Sequence, residues 1–196
     1  MGYQTMIGLK RHTVKLVEHK SEWKDLAVEK CQKIQRFCAH FIIDVQHVGS
    51  TAIIDLPAKP ILDIAIAVNA SILSSQLLQK LTELGYVYRG NGGDEGGYLF
   101  IKESSPEFRT VHMHIVEHNG NQWNNYLLFR DALCKNATFR EDYAVLKQKL
   151  ARKFLNDRKS YTAGKHDFIE KLLKKIAQQK AATTSGASDF LKVLGF

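Results

Sequence analysis

The chain is poor in cysteine and proline. It has three of each in 196 residues, and Cys31, Cys38 and Cys134 form no Cys-x-x-Cys pair. An odd number of cysteines without such a pair argues against a disulfide framework. We therefore expect reduced thiols, with Cys31 and Cys38 on one stripe of a helix in the core.

Long apolar runs are also missing. No stretch approaches the roughly 20 residues that cross a bilayer, and no apolar signal-peptide core follows Lys10 and Arg11. The prediction is a cytoplasmic protein with no membrane partner. A hydrophobic content of 44% and a charged content of 24% suit one globular domain with its own core.

Acidic residues are in the minority. There are 28 Lys and Arg against 20 Asp and Glu, a formal net charge of +8. This balance favours anionic partners without separating nucleotide, RNA and plain solubility. The lysines are spread along helical faces, and no block interleaves aromatic residues with clustered Arg and Lys. A small anionic ligand is therefore favoured, and nucleic acid is judged an unlikely partner.

The apolar periodicity predicts an α+β fold, a mixed β-sheet packed with helices plus a C-terminal helical bundle. The expected elements are an edge strand at 13–17, a helix after Ser21, strands at 42–48 and 61–68, a helix at 71–85, strands at 86–89, 97–102 and 109–116, and helices beginning near 122, 136 or 138, and 160 or 162. The glycine-rich stretch 90–97 does not fit a dinucleotide fingerprint, and we interpret it as a hairpin loop.

The predicted organisation is one domain at 13–178, with a sheet core of about 13–116 and a helical part of about 119–178. From residue 180 the composition changes to small and polar residues with a short apolar end. We expect residues 180–196 to form a flexible C-terminal tail.

One stretch, residues 47–68 (HVGSTAIIDLPAKPILDIAIAV), concentrates the chemistry. In its second strand Asp63 shares a face with two small alanines, which leaves room for a ligand. Glycine in the preceding Gly49-Ser50-Thr51 turn lets the backbone approach a phosphate, and the two hydroxyls can donate to it. The alternatives are that Asp63 caps a neighbouring group and that the glycine makes an ordinary turn.

The short connection between the two strands makes these features informative together. Residues 49–60 are barely enough for a parallel crossover helix, so an antiparallel return is expected. That return would bring the Gly-Ser turn close to Asp63. A phosphate site beside a carboxylate is the layout of phosphoryl and nucleotidyl transfer.

Two histidines alternate on the strand at 109–116. His112 and His114 share one face, where both can bind a metal or a phosphate, or can be ordinary hydrogen-bonded sheet residues. Neutral imidazole suits Zn, Mn or Fe better than Mg.

These blocks resemble the GrpB family, which is placed in the nucleotidyltransferase superfamily. The resemblance covers about residues 14–176 and is carried by Glu18 with Trp23, HVGSTA at 47–52, AKPILDI at 58–64, Arg109-Thr110-x-His112-x-His114, Phe129-Arg130-Asp131, and Tyr143 with Leu146 and Lys147. There are two departures. Ile53-Ile54-Asp55 stands where the family has Val-Pro-Gly, and Ala65 stands where catalytic members of the superfamily carry a second carboxylate.

The resemblance implies a nucleotidyltransferase-like fold and assigns roles to particular residues. Gly49, Ser50 and Thr51 would hold phosphates, Lys59, Arg109 and Arg130 would neutralise their charge, and Asp63 would be catalytic and ligate a divalent metal (Mn, Zn or Mg) together with His112 and His114. Lys147, Arg158, Tyr161 and Lys165 also occupy family-like positions, but the sequence does not select which of them reach the phosphate.

The expected function is the binding of a nucleotide or other phosphate-containing small molecule, with metal-dependent nucleotidyl transfer to an acceptor that the sequence does not identify. The alternative is a non-catalytic accessory or chaperone-like module, since members of the family occur fused to dephospho-CoA kinase. Ala65 supports this alternative. The oligomeric state is not predicted.

Overall fold

The computed structural model describes the backbone of residues 7–69, 74–91 and 97–193, and side chains within those ranges up to residue 179. The elements in chain order are β1 Leu9–Lys10, α1 Glu22–Cys38, β2 Asp44–Val48, β3 Leu62–Val68, α2 Ser75–Glu83, β4 Val87–Asn91, β5 Tyr98–Ser105, β6 Phe108–Glu117, α3 Asn121–Lys135, α4 Ala137–Lys153, α5 Arg158–Ala163 and α6 His166–Val193. This is a mixed α+β fold, as expected.

The strands form one mixed sheet in the order β2-β3-β6-β5-β4, with β1 beside the start of β6. Strands β2 and β3 are antiparallel and place Val48 opposite Asp63, which confirms the expected return. Strands β3 and β6 are parallel and place Asp63 opposite His112. The sheet therefore brings the end of β2, the start of β3 and the middle of β6 to one place.

One face of the sheet carries the main core. Because side chains alternate along β3, its large aliphatic residues all point to this face, where α1 and α2 cover them. Helix α1 contributes apolar residues at helical spacing, among them the fully buried Trp23 and Cys38. The prediction that Cys31 and Cys38 share the core side of this helix is confirmed, with Cys31 half-buried.

Helix α3 covers the opposite face. Ala65 and Ala67 pack there against Trp123, together with Val48 and Val116. The small alanine side chains let the helix lie close to β3, and Ala65 is 0% exposed. Ala65, the position at which the resemblance would place a second carboxylate, therefore serves to pack α3 on the sheet.

The C-terminal helices close over the 49–60 connection. Ile53 and Leu56 of the connection are buried with Leu133, Tyr143 and Leu172 from α3, α4 and α6. The ammonium group of Lys147, a residue only 1% exposed, donates a hydrogen bond to the carbonyl of Pro57. The connection is thus fixed in shape although it contains little regular structure.

Several boundaries differ from the sequence-based expectation. The expected edge strand at 13–17 is reduced to one bridge between Val17 and Ala58, because pairing begins earlier at β1. The last expected helix is two helices in the structure. The Asp157 side chain accepts a hydrogen bond from the Ser160 amide at the start of α5, and the helix is interrupted between α5 and α6. Ser71 and residues 92–96 lie outside the described residues.

Helix α6 continues to Val193 in the backbone. The change in composition at residue 180 therefore does not end the helix, and the expected flexible linker is helical instead. Alanine is a strong helix former, so its abundance in this stretch is compatible with continuation. None of the helices in the described part of the chain is long and apolar enough to cross a membrane.

We expect Ala65→Asp to destabilise the fold by about 3 kcal/mol or more, because the new carboxylate would be buried beneath α3 without a partner. Ala177→Asp, on an exposed position of α6, is the matched control and should cost less than about 1 kcal/mol. Urea unfolding followed by circular dichroism measures both. Equal destabilisation of the two variants would contradict the packing role of Ala65.

Candidate anion-binding site

A cavity of about 1170 Å³ opens between the α3 face of the sheet and the C-terminal helices. Strands β3 and β6 supply one wall, α3 a second, and α5 with the first turns of α6 a third. Most of the site residues predicted from the sequence line it, namely Gly49, Ser50, Thr51, Lys59, Asp63, Arg109, His112 and His114.

Gly49 has a structural role that the sequence did not predict. Its φ of 68° lies in the left-handed region, and a Cβ atom there would be 2.5 Å from the Oδ2 atom of Asp63. The glycine therefore makes room for the Asp63 carboxylate rather than only for a phosphate. The Thr51 hydroxyl lies 2.9 Å from Nε2 of His47, so this hydroxyl already has a partner within the protein.

Asp63, His112 and Arg158 form a chain of hydrogen bonds. Nδ1 of His112 is 3.2 Å from Oδ1 of Asp63, and Nη2 of Arg158 is 2.8 Å from Nε2 of His112. A guanidinium only donates, so Nε2 of His112 accepts and its Nδ1–H donates to Asp63. This assigns a neutral imidazole to His112.

The electrostatics agree with that assignment. Burial lowers the pKa of His112 to about 4 against the opposing effect of Asp63, and burial also lowers the pKa of His114. Burial alone would raise the pKa of Asp63, but the hydrogen bond from His112 and the nearby charge of Lys59 hold it well below its usual range. At neutral pH the site contains one carboxylate between neutral imidazoles.

Positive charge dominates the rest of this region. Lys59, Arg109, Arg158 and Lys165 all line the cavity, and the two lysines lie 5.2 and 4.8 Å from the ring centroid of Tyr161. Burial is the largest cause that lowers the pKa of each of these four groups, and neighbouring cations lower them further. The lining also contains the carboxylates of Asp63, Asp167 and Glu170, so the four cationic side chains exceed the acids by one, and both Asp167 and Glu170 are exposed to solvent.

Two of the guanidinium donors lack an acceptor. Nη1 of Arg158 and Nε of Arg109 are buried and make no hydrogen bond within the described part of the chain. The nearest acid to Arg109 is Glu103, whose Oε1 is 3.9 Å from Nε, too far for a hydrogen bond. Buried donors of this kind normally have partners, so each of the two can still take an acceptor that the described part of the chain does not supply.

The predicted metal ligands do not fit a divalent ion in this arrangement. Both ring nitrogens of His112 are engaged, one by Asp63 and one by Arg158. Across the described ranges, no group of three or more His, Cys, Asp and Glu side chains is placed to hold a metal. The four cationic side chains of the lining, which outnumber its three carboxylates, also oppose a divalent cation electrostatically.

Arg130 lies outside the cavity lining. Its Nη1 atom donates to Oε1 of Gln46 and to the carbonyl oxygen of His47, both at 3.0 Å, and its Nε donates to Asp131 at 2.8 Å. These bonds fix α3 to β2. Arg130 therefore has a structural role and does not face a ligand in the cavity.

The sequence had placed Arg158 and Lys165 among four candidates without selecting them, and the structure puts both in the cavity. The polar face of α3 was not foreseen. Asn121 and Asn125 line the cavity at a spacing of four, followed by Phe129. This spacing identifies one helix face, but polar residues there look like an ordinary solvated surface until the tertiary structure is known.

The fold and cavity together define a mixed-sheet α+β protein with a cationic pocket over one sheet face. The model of the family described as "GrpB protein" matches residues 13–175, and the chain belongs to the GrpB family. The chain is 33% identical over 171 residues to the "Glutamate-rich protein GrpB" of Alkalihalophilus pseudofirmus, which covers 86% of this chain and 98% of that protein.

Longer relatives contain a similar segment. The "UPF0157 protein YqkA" of Bacillus subtilis is 30% identical over 160 residues, covering 82% of this chain and 46% of that protein. The "Dephospho-CoA kinase" of Mycobacterium bovis is 26% identical, over 70% of this chain and 39% of the kinase. The chain thus spans less than half the length of these two proteins.

A solved structure is similar in fold. The crystal structure of "conserved protein GrpB" from Enterococcus faecalis has a TM-score of 0.75 and 28% sequence identity, covering 85% of this chain and 99% of that chain.

We expect Gly49→Ala to destabilise the protein by about 2 kcal/mol or more, since the left-handed backbone and the contact with Asp63 both oppose a Cβ atom. Gly90→Ala is the control, because Gly90 also has a positive φ but has no atom within 4 Å of its added Cβ. Thermal unfolding of the two variants separates backbone strain from the clash. Equal losses of stability in the two variants would contradict the close contact between Asp63 and Gly49.

His47 should make stability depend on pH. Burial lowers its folded pKa from 6.5 to about 4, so the unfolded chain binds the proton first as the pH falls. The free energy of unfolding should therefore decrease between about pH 6.5 and pH 4, by on the order of 1–2 kcal/mol from this residue by pH 5. His47→Gln removes the titration and keeps a polar group for Thr51. Urea unfolding at pH 5 and 7.5 should show a smaller difference in the variant, and an unchanged difference would contradict the assignment.

Proposed function

We propose that the cavity binds a small molecule through its phosphate group, with nucleotides as the leading class. The observation that carries the proposal is the pair of buried guanidinium donors, Nη1 of Arg158 and Nε of Arg109, that have no acceptor in the described structure. A phosphate offers several acceptor oxygens to both, and its negative charge offsets the cationic excess of Lys59 and Lys165.

The dimensions of the cavity favour more than an inorganic ion. Its volume of about 1170 Å³ is slightly above the range of typical small-molecule sites. The amides of Asn121 and Asn125 can donate and accept hydrogen bonds with a polar ring, and Tyr126 offers an aromatic face beside His114. A phosphate with an attached heterocycle matches both parts of this lining.

The resemblance to nucleotidyltransferases extends the proposal to a reaction. Transfer of a nucleotidyl group would use Asp63, the carboxylate that the resemblance assigns to catalysis. The absence of a second carboxylate at Ala65 and the engagement of both nitrogens of His112 argue against a resident metal supported by this residue set. Phosphate charge would then be neutralised by Arg109, Arg158 and the two lysines.

A second candidate is a non-catalytic accessory module. It is favoured by the complete burial of Ala65 under α3, which leaves no room for the missing acid. It is also supported by the similarity to part of a dephospho-CoA kinase. In this role the same cavity would recognise a phosphorylated compound without converting it.

Calorimetric titration with ATP, CTP, GTP, UTP, dephospho-CoA and CoA, each with and without Mg²⁺, Mn²⁺ or Zn²⁺, tests these proposals. We expect at least one compound to bind, with no requirement for added metal. Arg158→Gln should weaken binding by about tenfold to a hundredfold, the loss expected for a charge-assisted hydrogen bond. Arg152→Gln, an equal change of charge on the exposed surface of α4, should leave the affinity unchanged.

The outcomes separate the candidates. Release of pyrophosphate from a bound nucleoside triphosphate would favour transfer, whereas binding without turnover would favour the accessory module. Binding that requires Mn²⁺ or Zn²⁺ and disappears in Asp63→Asn would support the metal site that was predicted from the sequence. No binding of any compound, or equal weakening by the two arginine substitutions, would count against the anion site.

A further inference from the structure

Lys59 is placed as a reactive amine at the anion site. It follows the buried Pro57-Ala58 segment, so its backbone position is fixed, and its side chain lines the cavity. Its Nζ lies 5.2 Å from the centroid of Tyr161, and the described structure shows no carboxylate in a salt bridge with it. No carboxylate therefore pairs directly with this amine, and Asp63 favours its ammonium form only from beyond salt-bridge distance.

The surrounding charges act in the same direction. Arg158 of α5, Lys165 before α6 and Arg109 of β6 all oppose a positive charge on Lys59, and only Asp63 of β3 favours it. Burial is the largest effect, and together these causes lower the pKa of Lys59 to about 7. Desolvation and a neighbouring cation are the means by which enzymes obtain nucleophilic lysines.

We infer that Lys59 forms an imine with an aldehyde or ketone that carries a phosphate group, the phosphate lying at Arg109 and Arg158. This inference rests on the proposed anion site and names a covalent ligand class for it. The phosphate holds the carbonyl carbon beside the amine, which raises its effective concentration. The negative charge of the phosphate partly offsets the lowering of the Lys59 pKa by the two arginines, but the burial of Lys59 still lowers this pKa.

The step is balanced without an oxidant or reductant. The nitrogen lone pair of neutral Lys59 attacks the carbonyl carbon, and the C=O π pair moves to oxygen. A proton passes from nitrogen to that oxygen and gives a carbinolamine. The nitrogen lone pair then forms the C=N bond as the C–O bond breaks, and the hydroxyl group leaves with a proton as water.

Pyridoxal 5′-phosphate, an aldehyde with one phosphate, is a suitable probe, and pyridoxal is its matched control without the phosphate. The protein is incubated with each compound at neutral pH, reduced with borohydride and mapped by peptide mass spectrometry. We expect pyridoxal 5′-phosphate to modify Lys59 at least about tenfold faster than the exposed Lys149, because burial and neighbouring cations lower the pKa of Lys59 and the cavity binds the phosphate of the probe. Pyridoxal should react more slowly at Lys59, and inorganic phosphate should compete with the phosphorylated probe.

Two conservative variants complete the test. Lys59→Arg keeps the positive charge but forms no imine, so the imine absorbance band and the modified peptide should be lost. Lys149→Arg should leave both unchanged. Circular dichroism and the thermal midpoint of each variant establish that it is folded.

The possible failures differ from each other. Modification that is spread evenly over surface lysines, or that is found at Lys165 instead, would overturn the role of Lys59. If calorimetry still shows nucleotide binding in that case, the proposed anion site stands. Equal rates with pyridoxal and pyridoxal 5′-phosphate, without competition by phosphate, would show that the cavity does not recognise the phosphate group. That result would overturn the inference together with the anion site on which it rests.

Discussion

The contact of Asp63 with Gly49 and His112 is the interaction on which the rest of the site depends. Antiparallel pairing of β2 and β3 sets Val48 opposite Asp63, and parallel pairing of β3 and β6 sets His112 beside it. The carboxylate then rests against the Cα of Gly49 and accepts from Nδ1 of His112. One ionised side chain of β3 therefore contacts both the turn that begins at Gly49 and the middle of β6.

This arrangement also orients the positive charge. Because Nδ1 of His112 donates to Asp63, its Nε2 accepts from Arg158, and that bond fixes the guanidinium at the cavity wall. The other nitrogen, Nη1, is left buried without a partner. Thus the carboxylate orders an arginine through a neutral imidazole and leaves a donor available for a ligand. In the proposed function, Asp63 would contribute to anion binding in this way without touching the anion.

The cationic character of the site separates it from a two-carboxylate metal centre. Where such a centre would need a second acid, Ala65 lets α3 pack directly on β3. That helix brings Asn121, Asn125 and Phe129 to the opening. Ala65 therefore supplies no carboxylate at this position and also lets the polar face of α3 reach the cavity.

The sequence determined much of this architecture by itself. Alternation of large and small side chains in β3 sets which face is core, the short 49–60 connection requires an antiparallel return, and residue spacing along α1 defines its buried stripe. These features are local, since each depends on residues close together in the chain. The proximity of Gly49 to Asp63 was also predictable from the length of the connection, whereas the grouping of His112 with Asp63 came from the family resemblance.

Only the tertiary structure decided what these residues contact. The sequence assigned Arg130 to the phosphate and did not select Arg158, yet Arg130 is engaged by β2 and Arg158 lines the cavity, because helix packing sets the direction of each side chain. The role of Gly49 likewise depended on how closely β3 approaches it. Long-range contacts of this kind arise from the way helices pack on the sheet, and no local pattern of residues records that packing.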